Sequence, residues 1–428
     1  MVTGSTTTES LQCVRCGQDQ NLWQLSPRCT ACGGLLAVSR DLSAYDATTL
    51  REAWAARRGS LAPHDRSGVW RFRELIAPLD LDEMTARGEG NTGLYPTEEL
   101  ARWAGVASLH LKHEGENPTG SFKDRGMTAG VSVARKLGAR TVACASTGNT
   151  SASLASYAAL AGLGCLVLVP AGEHISAAKL SQALAYGART LAIRGDFDRA
   201  LVLLQALAPE LDLYVLNSVN PWRLEGQKSI MFETLEALGW EAPDWIVLPG
   251  GNLGNTSAFT KALLEMRELG LIARLPQIAV VQAAGASPFA ASYAGGWAPL
   301  QPVRADTIAT AIRIGDPVNH PKASAGVRAL DGVVTTVTDP EIMDAKALVD
   351  RAGIGCEPAS AASIAGLRRL CKEGVIGAEE RVVAVLTGHL LKDPDASSRY
   401  HASAAEHANP PTEVDADERS IRAVVREL

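Results

Sequence analysis

The 428-residue chain carries 41 lysine and arginine residues against 47 aspartate and glutamate residues, so its formal net charge is −6. Its length favours two or three domains, and its 46% hydrophobic and 21% charged residues are typical of a globular protein, which excludes the disordered and fibrous classes. Nucleic-acid affinity comes mainly from basic side chains that neutralise phosphates. The acidic balance therefore argues against nucleic acid as a partner.

The N-terminus and the cysteine content favour a cytoplasmic protein. Met1–Ser10 is polar and lacks the apolar stretch of a secretion signal. The longest apolar segment, Ala158–Pro170, contains two glycines and is too short to cross a bilayer. Eight cysteines in a chain of this length, without a signal peptide, indicate a reducing compartment. We therefore expect a cytoplasmic location and no membrane partner.

Residues 1–40 contain two closely spaced cysteine pairs. The pairs are Cys13 with Cys16 and Cys29 with Cys32. Four thiolates at this spacing suit a tetrahedral zinc ion, and Gly17 and Gly33 permit a tight turn after each pair. A cysteine cluster that has lost its metal and a redox-active pair are the alternatives. The spacing predicts a structural zinc ion, and the other four cysteines (144, 165, 356 and 371) are predicted to be buried packing residues.

Strands and helices are predicted to alternate over most of the chain after a first helical pattern at Leu42–Arg58. The short apolar runs that predict strands are Thr141–Ala145, Cys165–Pro170, Thr190–Arg194, Trp245–Pro249, Ile278–Val281 and Val382–Leu386. The segments with helical length and spacing are Met127–Leu137, Thr150–Ala161, Ser176–Tyr186 and Thr256–Leu269. This alternation predicts parallel sheets covered by helices on both faces, with ligands beyond the carboxyl ends of the strands.

Lys123 follows a turn and precedes a predicted helix. Asn117-Pro118 and Thr119-Gly120 mark the turn, and Ser121 is a candidate N-cap for the helix. The positive end of a helix dipole disfavours a further positive charge, which suits a lysine that works as a neutral amine. Composition and spacing alone still favour an ordinary surface lysine.

The run Asn117–Gly126 resembles the cofactor-lysine signature of fold-type II pyridoxal-phosphate enzymes, most closely the threonine synthases. Five further motifs that resemble this family occur in its order: Gly88–Thr92, Ser146–Thr150, Asn217–Lys228, Gly250–Asn255 and Leu386–Asp393. The resemblance implies an α/β fold similar to that of the tryptophan synthase β subunit. It would have two α/β domains with twisted, mostly parallel sheets, in addition to the N-terminal zinc ribbon.

The resemblance and the texture of the chain together predict four regions. These are a zinc-ribbon-like module at 1–40, a large cofactor-binding domain from 41–137 and 219–400, a small mobile domain at 138–218, and a tail at 401–428. Asn409-Pro410-Pro411 interrupts the tail, and Glu413–Glu427 is charged and partly amphipathic.

The resemblance also implies which residues bind pyridoxal 5'-phosphate. Lys123 would hold the cofactor covalently and then move protons during catalysis. The other cofactor-binding residues would be Asn149, Gly250, Gly251, Asn252, Leu253, Gly254, Asn255 and Thr387. Asn149 would meet the ring hydroxyl and Thr387 the pyridine nitrogen, while the glycine-rich loop would bind the phosphate through its backbone N–H groups.

A second group of residues is implied for the substrate. Ser146, Thr147, Gly148 and Thr150 would bind the amino-acid carboxylate, and Asn217, Ser218 and Arg223 a phosphate on the substrate side chain. The sequence departs from the family pattern at Gly93, where a proline is usual, and at Leu391, where a glycine is common. His389 occupies a variable position and is interpreted as a structural histidine at the cofactor edge.

The activity implied by the resemblance is conversion of O-phospho-L-homoserine and water to L-threonine and phosphate, the last step of threonine biosynthesis. Cysteate synthase and serine or threonine ammonia-lyase are alternatives on the same fold. A catalytically inactive zinc-ribbon interaction protein is an alternative of another class. The family is commonly dimeric, so a homodimer is the expected assembly.

Overall fold

The computed structural model describes residues 9–171, 177–195 and 197–426. Three sequence expectations extend past these ranges. The polar segment Met1–Ser10 lies mostly outside them, and so do Ser176, the first residue of a predicted helix, and Glu427, the last residue of the amphipathic tail segment.

The strands form three sheets. Within the described residues they are β1 (Glu9–Cys13), β2 (Asp19–Gln20), β3 (Leu36–Arg40), β4 (Leu94–Pro96), β5 (Ser108–His113), β6 (Thr141–Ala145), β7 (Gly164–Pro170), β8 (Arg189–Ile193), β9 (Leu213–Val215), β10 (Trp245–Pro249), β11 (Gln277–Ala283), β12 (Val333–Val337) and β13 (Arg381–Leu386). The sheet orders are β2-β1-β3, β12-β11-β10-β13-β5-β4 and β8-β7-β6-β9. The two larger sheets are parallel except for β4, which runs antiparallel to β5, and this confirms the predicted fold class.

Helices cover the faces of these sheets. The α-helices of the described residues are α1 (Ala47–Arg58), α2 (Glu98–Ala104), α3 (Lys123–Lys136), α4 (Asn149–Ala161), α5 (Ala177–Ala185), α6 (Phe197–Leu207), α7 (Pro221–Ala237), α8 (Gly254–Glu268), α9 (Pro288–Ala294), α10 (His320–Ala329), α11 (Asp339–Arg351), α12 (Pro358–Lys372), α13 (Pro394–His401) and α14 (Glu418–Val425). Short 3-10 turns occur at Leu42–Ala44, Trp70–Leu75, Glu114–Glu116, Ala284–Ala286, Thr310–Ile312 and Leu390–Lys392.

The central strand β10 contributes side chains to two separate cores. Ile246 and Leu248 belong to the core that contains residues of α7 and α8. Trp245 and Val247 belong to the core that contains residues of α2 and α12. A parallel strand covered on both faces needs a continuous apolar run, which explains why Trp245–Pro249 is readable as a strand from its sequence.

The smaller sheet lies between two helical layers. Val142 and Cys144 of β6 pack in the core shared with α4, whereas Ala143 and Ala145 pack in a separate core with α6. Its four strands lie between residues 141 and 215. Of the four cysteines expected to be buried packing residues, Cys144 and Cys356 are buried, but Cys165 and Cys371 are only partly so.

The two ends of the described chain differ in how they pack. The N-terminal sheet is antiparallel, and its Leu11, Leu36 and Val38 belong to the same core as α7 and α8. Helix α14 at the C-terminal end has no buried residue. None of the helices in the described ranges is long and apolar enough to cross a membrane.

Several helix starts differ from those expected. Helix α3 begins at Lys123, four residues before the expected Met127, and α8 begins at Gly254 instead of Thr256. Ser121 does not cap α3, because the N-cap is Phe122 and the buried Ser121 hydroxyl has no partner among the described residues. Helix α7 was not recognised as a helix from the sequence, although Asn220 caps it and Pro221 occupies its first position.

Candidate active site

The predicted site residues lie where strands end and helices begin. Ser146–Thr150 follows β6 and starts α4, Gly250–Asn255 follows β10 and starts α8, and Thr387 follows β13. Asn149 Nδ2 donates to the Glu357 carboxylate at 2.9 and 3.3 Å, so the segment after β6 contacts the start of α12. The carboxyl ends of parallel strands are the usual ligand-binding edge of such folds.

Lys123 is the first residue of α3 and has an unusually acidic ammonium group. Burial lowers the pKa of Lys123 to about 7, the charge of Arg223 acts in the same direction, and the Glu357 carboxylate opposes both. The residue is partly exposed, and Nζ lies 4.2 Å from the centroid of the Phe122 ring. A large fraction of this amine is neutral at pH 7, which is the form that reacts with a carbonyl group.

A buried ion-pair network fixes the backbone next to Lys123. Arg125 Nε lies 2.6 Å from Glu114 Oε2, and Arg125 Nη2 lies 2.6 Å from Glu233 Oε2. Lys112 Nζ lies 2.9 Å from the same Glu233 oxygen. These residues were not selected from the sequence, and they tie β5, α3 and α7 together.

The loop Gly250–Asn255 connects β10 to α8 and has the tight backbone that the sequence predicts for an anion-binding loop. A Cβ atom on Gly250 would lie 2.6 Å from Val280 Cγ1, and Leu253 has a left-handed backbone with φ of 61°. The loop enters α8, whose first N–H groups have no acceptor within the helix. Asn255 Oδ1 and Thr256 Oγ1 are buried without a partner among the described residues, as expected at a site built for a further polar group.

Asn149, Glu357 and Thr387 form a polar cluster. Thr387 Oγ1 lies 3.0 Å from Ser360 Oγ and donates to Glu357 Oε1 at 3.4 Å. Burial raises the pKa of Glu357, while the hydrogen bond from Asn149 and the charges of Lys392 and Lys123 lower it. Sequence reasoning missed Glu357. The signal available was Glu357-Pro358, an acidic N-cap before a proline that starts a helix.

Arg223 is a buried cation with unused hydrogen-bond donors. It is 1% exposed, and its Nη1 donates to Leu216 O at 2.9 Å. Nε and Nη2 are buried and have no partner among the described residues. Burial lowers the pKa of Arg223 to about 10, with Cys144 opposing. A buried guanidinium with two free donors is costly unless an anion reaches it.

Glycines bring Arg223 close to the helix that begins at Lys123. A Cβ atom on Gly130 would lie 3.2 Å from Arg223 Cγ, and one on Gly126 would lie 3.0 Å from Arg223 O. On the facing helix, a Cβ atom on Gly226 would lie 2.0 Å from Arg125 O. The small residues therefore allow α3 and α7 to pack backbone to backbone, which brings Arg223 close to the helix whose first residue, Lys123, has its pKa lowered by the Arg223 charge.

Asn217 and Ser218 also make contacts with neighbouring segments of the protein, and their role toward a substrate phosphate stays a prediction. Asn217 Oδ1 accepts from Ala145 N at 3.0 Å, and Asn217 Nδ2 donates to Ala145 O at 2.9 Å. The amide therefore holds the end of β6, next to the Ser146–Thr150 loop. Ser218 O accepts from Asn319 Nδ2 at 2.9 Å, and Asn319 N donates to Asn252 O at 3.4 Å. Asn319, which sequence reasoning also missed, links the two candidate phosphate loops.

Comparison with known proteins identifies the family of this chain. The pyridoxal-phosphate dependent enzyme family matches residues 85–388. A threonine synthase from Methanocaldococcus jannaschii is 43% identical over 419 residues, which cover 97% of this chain and 99% of that protein. A threonine synthase from Methanosarcina acetivorans is 45% identical and covers 97% of this chain and 98% of its own length. The chain belongs to the threonine synthase family.

A solved structure shows the same fold over nearly the full length. The crystal structure of threonine synthase from Escherichia coli has a TM-score of 0.70 at 19% sequence identity. The match covers 98% of this chain and 100% of that one. Membership of this pyridoxal-phosphate-dependent family confirms the cofactor expected from the sequence motifs.

The four N-terminal cysteines converge on one point of this family member. Their sulfur atoms lie within 4.8 Å of one another, and the Cys13–Cys32, Cys16–Cys29 and Cys16–Cys32 separations are 3.4, 3.8 and 3.5 Å. Gly17 and Gly33 both have a φ of 71°, as the predicted tight turns require. A Cβ atom on Gly34 would lie 2.8 Å from Cys13 Sγ, so only glycine fits beside the sulfur atoms.

Leu391, which departs from the family pattern, and His389, at a variable position, both lie in the C-terminal motif. Leu391 is 67% exposed, so its side chain points largely to solvent and does not fill space in the candidate site. His389 Nδ1 accepts from Leu391 N at 3.2 Å, and its ring lies 6.4 Å from that of His113. Both histidines line a cavity of about 680 Å³ next to this motif. The role of His389 at the cofactor edge stays a prediction.

Proposed function

We propose that this chain converts O-phospho-L-homoserine and water to L-threonine and phosphate. The observation that carries the proposal is the pairing of Lys123, whose pKa is lowered to about 7, with Arg223, a buried cation that has two unused donors. A neutral amine suits the covalent attachment of a cofactor aldehyde and the transfer of protons. An unpaired guanidinium suits the side-chain phosphate of the substrate.

The described residues fit pyridoxal phosphate as the cofactor. Lys123 would hold it covalently, the N–H groups of Gly250–Asn255 would bind its phosphate, and Asn149 and Thr387 would contact its ring. When bound, the cofactor supplies an electron sink for negative charge on the adjacent substrate carbon. The orphaned polar atoms of Asn255 and Thr256 at the glycine-rich loop support this assignment.

Different residues of the chain would bind the substrate phosphate, bind its carboxylate and transfer protons. Arg223 would bind the phosphate and orient the Cγ–O bond that breaks, and Ser146–Thr150 would bind the carboxylate at the start of α4. The Lys123 amine would take protons from Cα and Cβ; after the phosphate leaves, Cγ would gain a proton and water would add at Cβ. Arg223 also lowers the pKa of Lys123, so occupation of Arg223 by phosphate would raise the basicity of this amine.

A substrate panel tests the proposal. The specificity constant kcat/KM is measured on the holoenzyme with O-phospho-L-homoserine, with O-phospho-L-serine and sulfite, with L-threonine and with L-serine. We expect O-phospho-L-homoserine to exceed the others by more than about a hundredfold, since only a matched phosphate uses both free donors. Preference for phosphoserine and sulfite would select cysteate synthase, and preference for the unphosphorylated amino acids would select an ammonia-lyase.

We also propose that Cys13, Cys16, Cys29 and Cys32 bind a structural zinc ion. A tetrahedron with Zn–S bonds of about 2.3 Å has sulfur–sulfur edges of about 3.8 Å. The separations of 3.4 to 3.8 Å among these thiols support that geometry. Elemental analysis of protein purified without chelators should give one zinc ion per chain. Zinc that persists at full stoichiometry after Cys29→Ser would contradict the ligand set.

The remaining expectations extend this proposal to the whole protein. The cytoplasmic location stays a prediction. The confinement of the four-stranded sheet to residues 141–215 supports 138–218 as the small domain and 41–137 with 219–400 as the large one. Homodimer formation stays a prediction, and sedimentation of the holoenzyme tests it.

A further inference from the structure

The four-cysteine module packs directly on the helix that carries Arg223. The Trp23 ring, in the loop between the two cysteine pairs, stacks on Trp222 with a centroid separation of 5.6 Å and an interplanar angle of 11°. Trp222 is buried and immediately precedes Arg223 in the first turn of α7. The module thus contacts the residue adjacent to the candidate phosphate-binding arginine.

A second contact joins β3 of the module to the same helix. Arg40 Nε lies 2.6 Å from Glu9 Oε1, and Arg40 Nη1 lies 3.3 Å from Glu225 Oε2. Glu225 also pairs with Lys228 at 2.7 Å and with Lys261, whose Nζ donates to Val38 O at 2.6 Å. Burial would raise the pKa of Glu225, but the surrounding cations lower it to about 2. Glu225 is therefore a fixed anion between the module, α7 and α8.

A third contact reaches the other candidate phosphate loop. Lys322 Nζ, on α10, donates to Leu36 O of β3 at 2.6 Å. The same helix begins after Asn319, which donates to Ser218 O. The module therefore contacts α7, which carries Arg223, α8, which follows the glycine-rich loop, and α10, which follows Asn319.

The position of Arg223 depends on the backbone of this helix turn. Its guanidinium makes one hydrogen bond among the described residues, to Leu216 O, so few side-chain contacts hold it. Trp222 and Glu225 are three residues apart and lie on one face of α7, towards the module, while Arg223 lies towards α3. The contacts with the module and the side chain of Arg223 therefore lie on different faces of the same helix turn.

We propose that the four-cysteine module is a positioning element for Arg223, acting through Trp23 on Trp222 and through Arg40 on Glu225. The state of the four cysteines then sets the affinity of the site for a phosphate dianion. This inference rests on the proposed function, since it requires Arg223 to bind phosphate. Trp23 and Arg40 are positioning residues and do not touch the substrate.

The test compares phosphate binding by holoenzymes that differ at Trp23. The dissociation constant of inorganic phosphate is measured by titration calorimetry for wild type, Trp23→Ala and Trp23→Phe, together with KM and kcat for O-phospho-L-homoserine. Trp23→Ala should weaken phosphate binding and raise KM about three- to tenfold, with kcat within about twofold of wild type, because an aromatic stack is worth that range. Trp23→Phe should restore most of the affinity.

Trp103→Ala is the matched control. Trp103 is also partly buried and carries a cation, Arg368, 4.0 Å from its ring, but it lies on α2, away from α7. Its phosphate affinity should equal that of wild type. Equal phosphate affinity in Trp23→Ala and wild type would overturn the inference, as would a loss of affinity in Trp103→Ala of the same size.

Two further measurements keep the inference separable from protein instability and from the proposed function. If Trp23→Ala does not fold, metal-stripped wild-type holoenzyme replaces it, and unchanged phosphate affinity with an intact cofactor absorbance band would overturn the inference. Arg223→Gln tests the arginine itself. If Arg223→Gln binds phosphate like wild type, the proposed function fails; if it loses phosphate while Trp23→Ala does not, only the module inference fails.

Discussion

Replacement of Arg223 by methionine should inactivate the protein and at the same time stabilise it. Burial lowers the pKa of Arg223 from 12.5 to about 10, which corresponds to roughly 3 kcal/mol against the charged form in the folded protein. Methionine fills the same space without a charge. The lost hydrogen bond to Leu216 O removes about 1 kcal/mol of that gain, so Arg223→Met should raise the free energy of unfolding by roughly 1–2 kcal/mol.

The same substitution should remove most of the catalytic efficiency. Two unused donors on a charged group would each contribute about 1.5–3 kcal/mol to a bound phosphate. Losing both should lower kcat/KM for O-phospho-L-homoserine at least about a hundredfold. Inorganic phosphate should raise the melting temperature of wild-type holoenzyme and leave that of Arg223→Met unchanged.

Arg71→Met is the matched control, and we expect it to change the free energy of unfolding in the opposite direction. Arg71 is 2% exposed and contacts the same helix α7, but its guanidinium pairs with both Glu236 oxygens at 2.8 and 2.5 Å. Its loss leaves the Glu236 carboxylate, among the described residues, with only the more distant Arg58, at 3.7 Å, and should lower the free energy of unfolding by about 2–3 kcal/mol. The reasoning is refuted if chemical denaturation shows Arg223→Met to be less stable than wild type without phosphate, or if that variant still responds to phosphate.

Three other changes probe the lysine and the helix contact. Lys123→Ala should show no turnover and no cofactor absorbance after desalting. Wild-type protein that has been stripped of cofactor should bind added cofactor faster as the pH rises through about 7, because only the neutral amine reacts. Glu357→Gln should move that midpoint to lower pH, since this carboxylate raises the pKa of Lys123; an unchanged midpoint would show that the charge does not reach the amine. Gly226→Ala should lower the free energy of unfolding by at least about 1–3 kcal/mol, since its Cβ would lie 2.0 Å from Arg125 O. Gly59→Ala, whose nearest neighbour is 3.8 Å away, should stay close to wild type in the same denaturation experiment.

Buried parallel strands were predictable from the sequence, and one of the principal helices was not. Thr141–Ala145 and Trp245–Pro249 coincide with β6 and β10, because a strand covered on both faces is a continuous apolar run. Helix α7 is buried over all of Pro221–Leu235; its Glu225, Lys228 and Glu233 form ion pairs, whereas Arg223 has none among the described residues. It therefore has no polar face, and the 3.6-residue periodicity that reveals a surface helix is missing.

The candidate site was predictable where short motifs carry it and not where distant segments meet. The motif around Lys123 and the glycine-rich loop Gly250–Asn255 are local in sequence. Glu357 enters through contacts with Asn149 and Thr387, 208 and 30 residues away, so local patterns do not reveal it. The lack of an ion-pair partner for Arg223 and the stacking of Trp222 on Trp23 likewise depend on packing between distant segments.

The most direct test of the central claim is to follow the oxygen atoms of the reaction. The holoenzyme is incubated with O-phospho-L-homoserine in water labelled with heavy oxygen, and both products are quantified by mass spectrometry. If Arg223 binds the substrate phosphate and the Lys123 amine transfers the protons, threonine and phosphate should form in equal amounts. The label should then be in the threonine hydroxyl and not in the phosphate. Label in the phosphate together with free homoserine would mean hydrolysis of the ester, and would contradict the account.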